Sequence, residues 1–159
     1  MERFEQFKKE LLARAKAADT CAEQYSRALH AETMDSLLAV VRDNFRWAVR
    51  TDVLTGEFID EWKDEFATGN IWHNSDVENG YLLATEGRFE ACGNSSVEAR
   101  GNSSVVAQGN SSVVAWGNSY TTSYNVIDCR LNEHAIHRIR MTNTIRYADK
   151  DMKFELVEG

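Results

Sequence analysis

The chain has 159 residues, of which 43% are hydrophobic and 27% charged, with a formal net charge of −7 and no proline. That length suits one compact domain or two small ones, and the composition is that of a folded globular chain, not a disordered one. No membrane-length apolar run occurs, and the opening "MERFEQFKKELLARAKAADT" has no apolar leader, so the expectation is a cytoplasmic protein with no membrane partner.

The charge is uneven. Residues 1–80 hold 10 Lys+Arg against 16 Asp+Glu, and residues 81–159 hold 8 against 9. An acidic first half repels phosphate, which argues against a nucleic-acid partner. Cys21, Cys92 and Cys129 are odd in number and far apart, as free thiols in a reducing compartment would be.

Residues 1–70 carry helical periodicity. "ERFEQFKKELLARAKAA" puts Phe4, Phe7, Leu11 and Leu12 on one stripe. Thr20 with Glu23 has the form of a capping box before "CAEQYSRALHA", and Thr33 stands where it can cap "MDSLLAVVRDNFRWAVR". "TGEFIDEWKDEFATGN" supplies a fourth helix ending near Gly69. Four short amphipathic helices predict a small bundle, with Trp62, Phe66 and Trp72 serving as core and not as a ligand box. Residues 71–82 form the expected junction.

The segment "ACGNSSVEARGNSSVVAQGNSSVVAWGNSY" repeats Gly-Asn-Ser at 93, 101, 109 and 117. Written A-x-G-N-S-S-V-x, the octad alternates small, nearly invariant residues with variable ones, and period-two alternation is a strand signature. Gly-Asn tolerates positive φ and marks a turn. The overall expectation is therefore an α+β chain: a helical bundle at 1–70, a parallel β-solenoid at 83–147, and a C-terminal cap or strand at 148–159. Degenerate octads extend the array, with Phe89, Thr121, Cys129, His137 and Ile145 in the Val position and Leu83, Ser123, Leu131, Ile139 and Tyr147 in the Ala position. Two octads per coil would give about four coils stacked over roughly 20 Å. Three per coil is the rival geometry, and the thin Ala/Ser/Val interior favours two. Asn94, Asn102, Asn110 and Asn118 are expected to form amide ladders between coils. Asn and Ser stand where calcium would require carboxylates, and no regular outward Thr array suits ice.

This helical leader followed by A-x-G-N-S-x-V octads resembles uncharacterised proteins carried by phages and mobile elements of gut bacteria. The resemblance spans the whole architecture, and its specific part is residues 91–122. It implies a context, an accessory factor acting in a bacterial cytoplasm, and assigns no functional residue.

With two octads per coil, one face is expected to collect Arg88, Arg100, Val106, Trp116, Tyr120, Thr122, Ile136 and Arg138. The opposite face collects Gln108, Val114, Tyr124, Arg130, Arg140 and Arg146. Trp, Tyr and Arg dominate binding hot spots, so the candidate binding residues are Arg100, Trp116, Tyr120 and Arg138, with Arg130, Arg140 and Arg146 available to phosphate or an acidic protein. The alternatives are that the helices cover this face or that a second copy does. Cys129, His134 and His137 are the nearest thing to a metal or nucleophile set, but Cys129 and His137 point inward and His134 outward, so neither a metal site nor catalysis is expected. No phosphate loop, dinucleotide fingerprint or nucleophile elbow is present, and no cofactor is implied.

The functional expectation is a non-enzymatic binding protein that blocks or sequesters a host component, such as a defence complex, with a host or phage protein as partner. The rivals are a virion accessory part and a sponge for a small nucleotide. An exposed solenoid end makes a homodimer a candidate assembly.

Overall fold

A computed structural model describes residues 2–158. The chain is a helical region followed by a two-sheet parallel β-solenoid. The helices are α1 (Glu2–Ala17), α2 (Ala22–Leu29), α3 (Met34–Asp43), α4 (Phe45–Arg50), α5 (Gly56–Glu61) and α6 (Lys63–Thr68).

Two of the four expected helices are broken, the third by a side chain that competes with the backbone ladder and the fourth at Trp62. Asn44 ends α3 by donating from Nδ2 to Val40 O at 2.8 Å, and its Nδ2 also reaches Gln24 Oε1 at 2.9 Å. Trp62 separates α5 from α6 at φ −112°, ψ 38°, and its indole N–H donates to Glu10 Oε2 on α1. Thr33 does cap α3, in a box closed by Ser36. The Thr20–Glu23 box does not form. Thr20 instead donates its hydroxyl back to Ala15 O at 2.6 Å to finish α1, and Cys21 starts α2 with no side-chain bond.

The bundle core is aromatic at its centre. Phe7 lies 5.1 Å from Phe66, 5.3 Å from Trp62 and 6.1 Å from Phe58, ring centre to ring centre. Trp62 and Phe66 are thus packing residues, and Trp72 packs against the solenoid interior.

The solenoid strands alternate between two sheets. The first sheet has the order β1 (Ile71–His73), β3 (Tyr81–Ala84), β5 (Ser96–Ala99), β7 (Ser112–Ala115), β9 (Asp128–Leu131). The second has β11 (Thr144–Tyr147), β10 (Ile136–Ile139), β8 (Tyr120–Ser123), β6 (Ser104–Ala107), β4 (Arg88–Cys92), β2 (Val77–Glu78). Pairing Arg88 with Ser104 and Ser96 with Ser112 gives a sixteen-residue coil, so two octads make one turn.

The repeat explains the narrow interior. Val97, Val105 and Val113 and Ala91, Ala99, Ala107 and Ala115 are all buried and line it, with Ser95, Ser103, Ser111 and Ser119 buried at the corners. In the central coils the two sheets close around small side chains, and larger ones, Leu82, Leu131, His137 and Ile139, fill the ends. The expected asparagine ladders are not what joins the turns. Asn94, Asn102, Asn110 and Asn118 face solvent, and the backbone links coils, as from Asn110 N to Gly93 O and from Asn118 N to Gly101 O.

Three further expectations are corrected. The solenoid begins before residue 83: β1 and β2 lie within the expected junction and form the first coil with β3 and β4. Leu83 does not occupy the Ala position. It pairs with Glu98 and points out into the bundle core, and Leu82 and Ala84 line the interior beside Val97 and Ala99. Seven residues, not eight, separate Ala84 from Ala91, and a one-residue slip sends a side chain to the other face of a strand. Finally, β11 runs antiparallel to β10, with Ile136 opposite Tyr147 and Arg138 opposite Ile145. This reversal takes Ile145 and Tyr147 out of the interior and leaves Arg146 opposite the buried His137.

Candidate functional site

The bundle packs on the first sheet through Leu83, Tyr81, His73, Val97 and Ser112. Leu83 enters the helical core, and Phe45 meets Tyr81 at 5.2 Å. Arg46 of α4 donates to Val97 O at 2.8 Å, to Ser112 O at 3.3 Å and to Ser112 Oγ at 2.7 Å. His73 bridges Asp60 on α5, at 3.0 Å, and Thr85, at 2.9 Å.

Beneath this seam lies a buried charge cluster. Glu98 is 0% exposed, with Arg46 3.8 Å from its Oε1. Burial raises the Glu98 pKa, against the opposing pull of Arg46, Arg100, the Trp116 indole N–H and Arg50. Burial also lowers that of Arg46. Arg100 stacks over Trp116 at 5.4 Å. The Glu98 oxygens, Arg100 Nε and Trp116 Nε1 are all buried without closing to hydrogen-bond geometry. Trp116 therefore has a local reason to be there: Arg100 lies over its ring, and the indole N–H and the Arg100 charge both act on the buried Glu98 carboxyl.

This placement revises the expected faces. Arg100 and Trp116 follow β5 and β7 and belong to the first sheet, not beside Val106 and Tyr120. The residue after each Ala closes its own strand before the turn; it does not open the next one. The other six members of the expected face do come together. Pairing aligns Glu90, Val106, Thr122, Arg138 and Ile145 in one row of the second sheet, and Arg88, Ser104, Tyr120, Ile136 and Tyr147 in the next. Val106 is buried among its neighbours; Tyr120, Thr122 and Ile136 are half-buried; Arg88, Glu90 and Arg138 are exposed.

The expected opposite face also divides. Val114 and Arg130 are paired neighbours on the first sheet, beyond Glu98. Gln108, Tyr124 and Arg140 follow β6, β8 and β10 and border a corner cavity of about 280 Å³ with Gly109 and Ile127. Arg146 sits at the open end of the coil, where its charge bears on both His137 and Cys129.

The end of the interior is polar. His137 is fully buried, with Nε2 2.8 Å from Ser123 Oγ, and burial with the Arg146 charge pushes its pKa down to about 4. Cys129 Sγ is 3.7 Å from Thr121 Oγ1, and burial pushes its thiol pKa up. A buried, protonated thiol is a poor nucleophile. His134 faces outward and bonds Asp149 at 2.7 Å. Among the described residues no group of three or more His, Cys, Asp or Glu is placed to hold a metal ion, and no helix is long and apolar enough to cross a membrane.

Sequence reasoning missed the Arg46–Glu98 pair. Its one signal was Glu98 itself, an acid at the outward position held by Val106, Val114 and Thr122 in the neighbouring octads. Compared with family models, curated proteins and solved structures, the chain matches none.

Proposed function

We propose that the chain is a non-enzymatic binding protein that holds a protein partner on the outer face of its second sheet. The supporting observation is the asymmetry of the solenoid: the helices pack on the first sheet, and the second leaves two adjacent rows, Thr122 with Arg138 and Tyr120 with Ile136, beside the buried Val106 and with Arg88 and Glu90 at the margin. Aromatic and β-branched side chains on a rigid sheet lose little rotamer freedom on docking, and Tyr and Arg are enriched in hot spots.

The resemblance to phage and mobile-element proteins sets the context: a factor in the bacterial cytoplasm that blocks or sequesters a host component such as a defence complex. A nucleotide sponge between the halves draws less support. Arg46 is engaged with Val97 and Ser112, and Arg100 lies over Trp116 with its Nε buried from solvent, so neither guanidinium is openly presented to phosphate.

The test is affinity capture from bacterial host lysate with the full chain and with a Thr122→Lys variant. The expected result is one protein retained at a fixed stoichiometry by the parent and lost by the variant. Equal retention by both would remove the second sheet from the account, and a nucleotide released on denaturing the purified chain would favour the sponge.

A further inference from the structure

We propose that residues 153–157 are a strap that adds to β11 as a further antiparallel strand of the second sheet. The inference stands independently of which partner that sheet binds.

Strand β11 is the last strand of its sheet, and all four of its residues are exposed. An edge strand of this kind presents unpaired N–H and C=O groups and is a template for another strand. It carries no Pro, and its one charge, Arg146, lies on the row of His137 and discourages pairing with any strand that does not bring an acid opposite it.

The following chain turns back toward it. Asp149 accepts from Met152 N through its carbonyl and from Asp151 N through Oδ1, and its other carboxylate oxygen is held by His134. This reversal brings the Phe154 ring to 5.3 Å from that of Tyr147, at 64°. Beyond it Leu156 is 95% exposed and Val157 76%, a cost that an apolar strand avoids when it pairs.

The Tyr147–Phe154 contact sets one register. Counting outward from it in antiparallel sense, Arg146 faces Glu155, Ile145 faces Leu156 and Thr144 faces Val157. Every position then agrees with its partner. Phe154 and Leu156 join Tyr147 and Ile145 on the outer face, and the opposite charges of Arg146 and Glu155 meet on the other. Cross-strand apolar and opposite-charge pairs are the units that stabilise such a sheet. A closed strap covers the edge and widens the outer face by two apolar side chains.

The experiment uses the full chain with Cys21→Ser. Ile145→Cys with Leu156→Cys should oxidise readily to an intrachain disulfide, because directly opposed residues fit disulfide geometry. Ile145→Cys with Val157→Cys should close at least tenfold more slowly, since 157 falls on the other face. Adding Arg146→Glu to the first pair should slow closure several-fold, and Glu155→Arg should restore it. Equal closure of the two pairs, closure of neither, or a disulfide-linked dimer would overturn the proposal. Amide exchange of residues 153–157 in the unaltered chain supplies a readout without substitution: protection of at least tenfold is expected, and exchange at the rate of an unstructured peptide overturns it.

Discussion

Ser123 Oγ lies 2.8 Å from His137 Nε2 inside the last coil, where the earlier coils carry Ala and Val. The bond satisfies one imidazole nitrogen, but Nδ1 is buried without a partner, and no opposite charge compensates a proton there. Burial and Arg146 accordingly hold the imidazole neutral down to about pH 4.

This fixes a pH dependence. The unfolded chain takes up the His137 proton near pH 6.5, and the folded chain does so only near 4. Stability contributed by the neutral imidazole is therefore full above about pH 6.5 and is lost as pH falls toward 4, by up to about 3 kcal/mol. His137→Val, which restores the residue of the central octads, should flatten the melting temperature between pH 7 and 5, measured by circular dichroism. An unchanged slope would place the titration elsewhere.

Glu98 has the opposite sign. Its carboxyl keeps its proton to higher pH when folded, so the unfolded chain ionises first and stability falls as pH rises through the usual carboxyl range. Glu98→Val should cost about 1 kcal/mol at pH 7: it removes the fully buried carboxylate but takes the counter-charge from Arg46, which is partly exposed and keeps its bonds to Val97 O and Ser112. Arg46→Ala should cost about 3 kcal/mol, because it strands the carboxylate and frees Val97 O and Ser112. Chemical denaturation of both variants and of the double variant tests this. The double variant should recover part of the Arg46→Ala loss.

Gly109 sits at φ +65°, and a Cβ there would meet Gly93 O of the coil below at 3.0 Å. Gly109→Ala should lower stability by about 1–2 kcal/mol through the left-handed backbone alone, and more if the coils cannot part. A thermal melt measures it, and an unchanged midpoint would mean that the turn is not held at its present spacing.

The architecture was legible where the sequence repeats itself. Ala, Ser and Val at alternate positions told both the strand period and the width of the interior. What the repeat could not carry were its interruptions. The seven-residue spacing from Ala84 to Ala91 turned Leu83 outward, and the hairpin after Ile139 turned Ile145 and Tyr147 outward, because each breaks the count on which facing depends. The candidate site was half legible. Tyr120, Thr122, Ile136 and Arg138 shared a face as expected. Trp116 and Arg100 did not, because the residue after each Ala still belongs to the strand it closes, and the octad alone does not say on which side of the turn that position falls.

The central claim is that the covered first sheet holds the molecule together and the open second sheet does its binding. Once a partner is in hand, its affinity and the thermal midpoint should be measured for two variants, Trp116→Ala and the pair Tyr120→Ala with Arg138→Ala. The account predicts that Trp116→Ala melts lower yet binds as the parent does, and that the paired variant keeps its midpoint yet binds at least about a hundredfold more weakly. The reverse pattern, binding lost with Trp116 and kept without Tyr120 and Arg138, would contradict it.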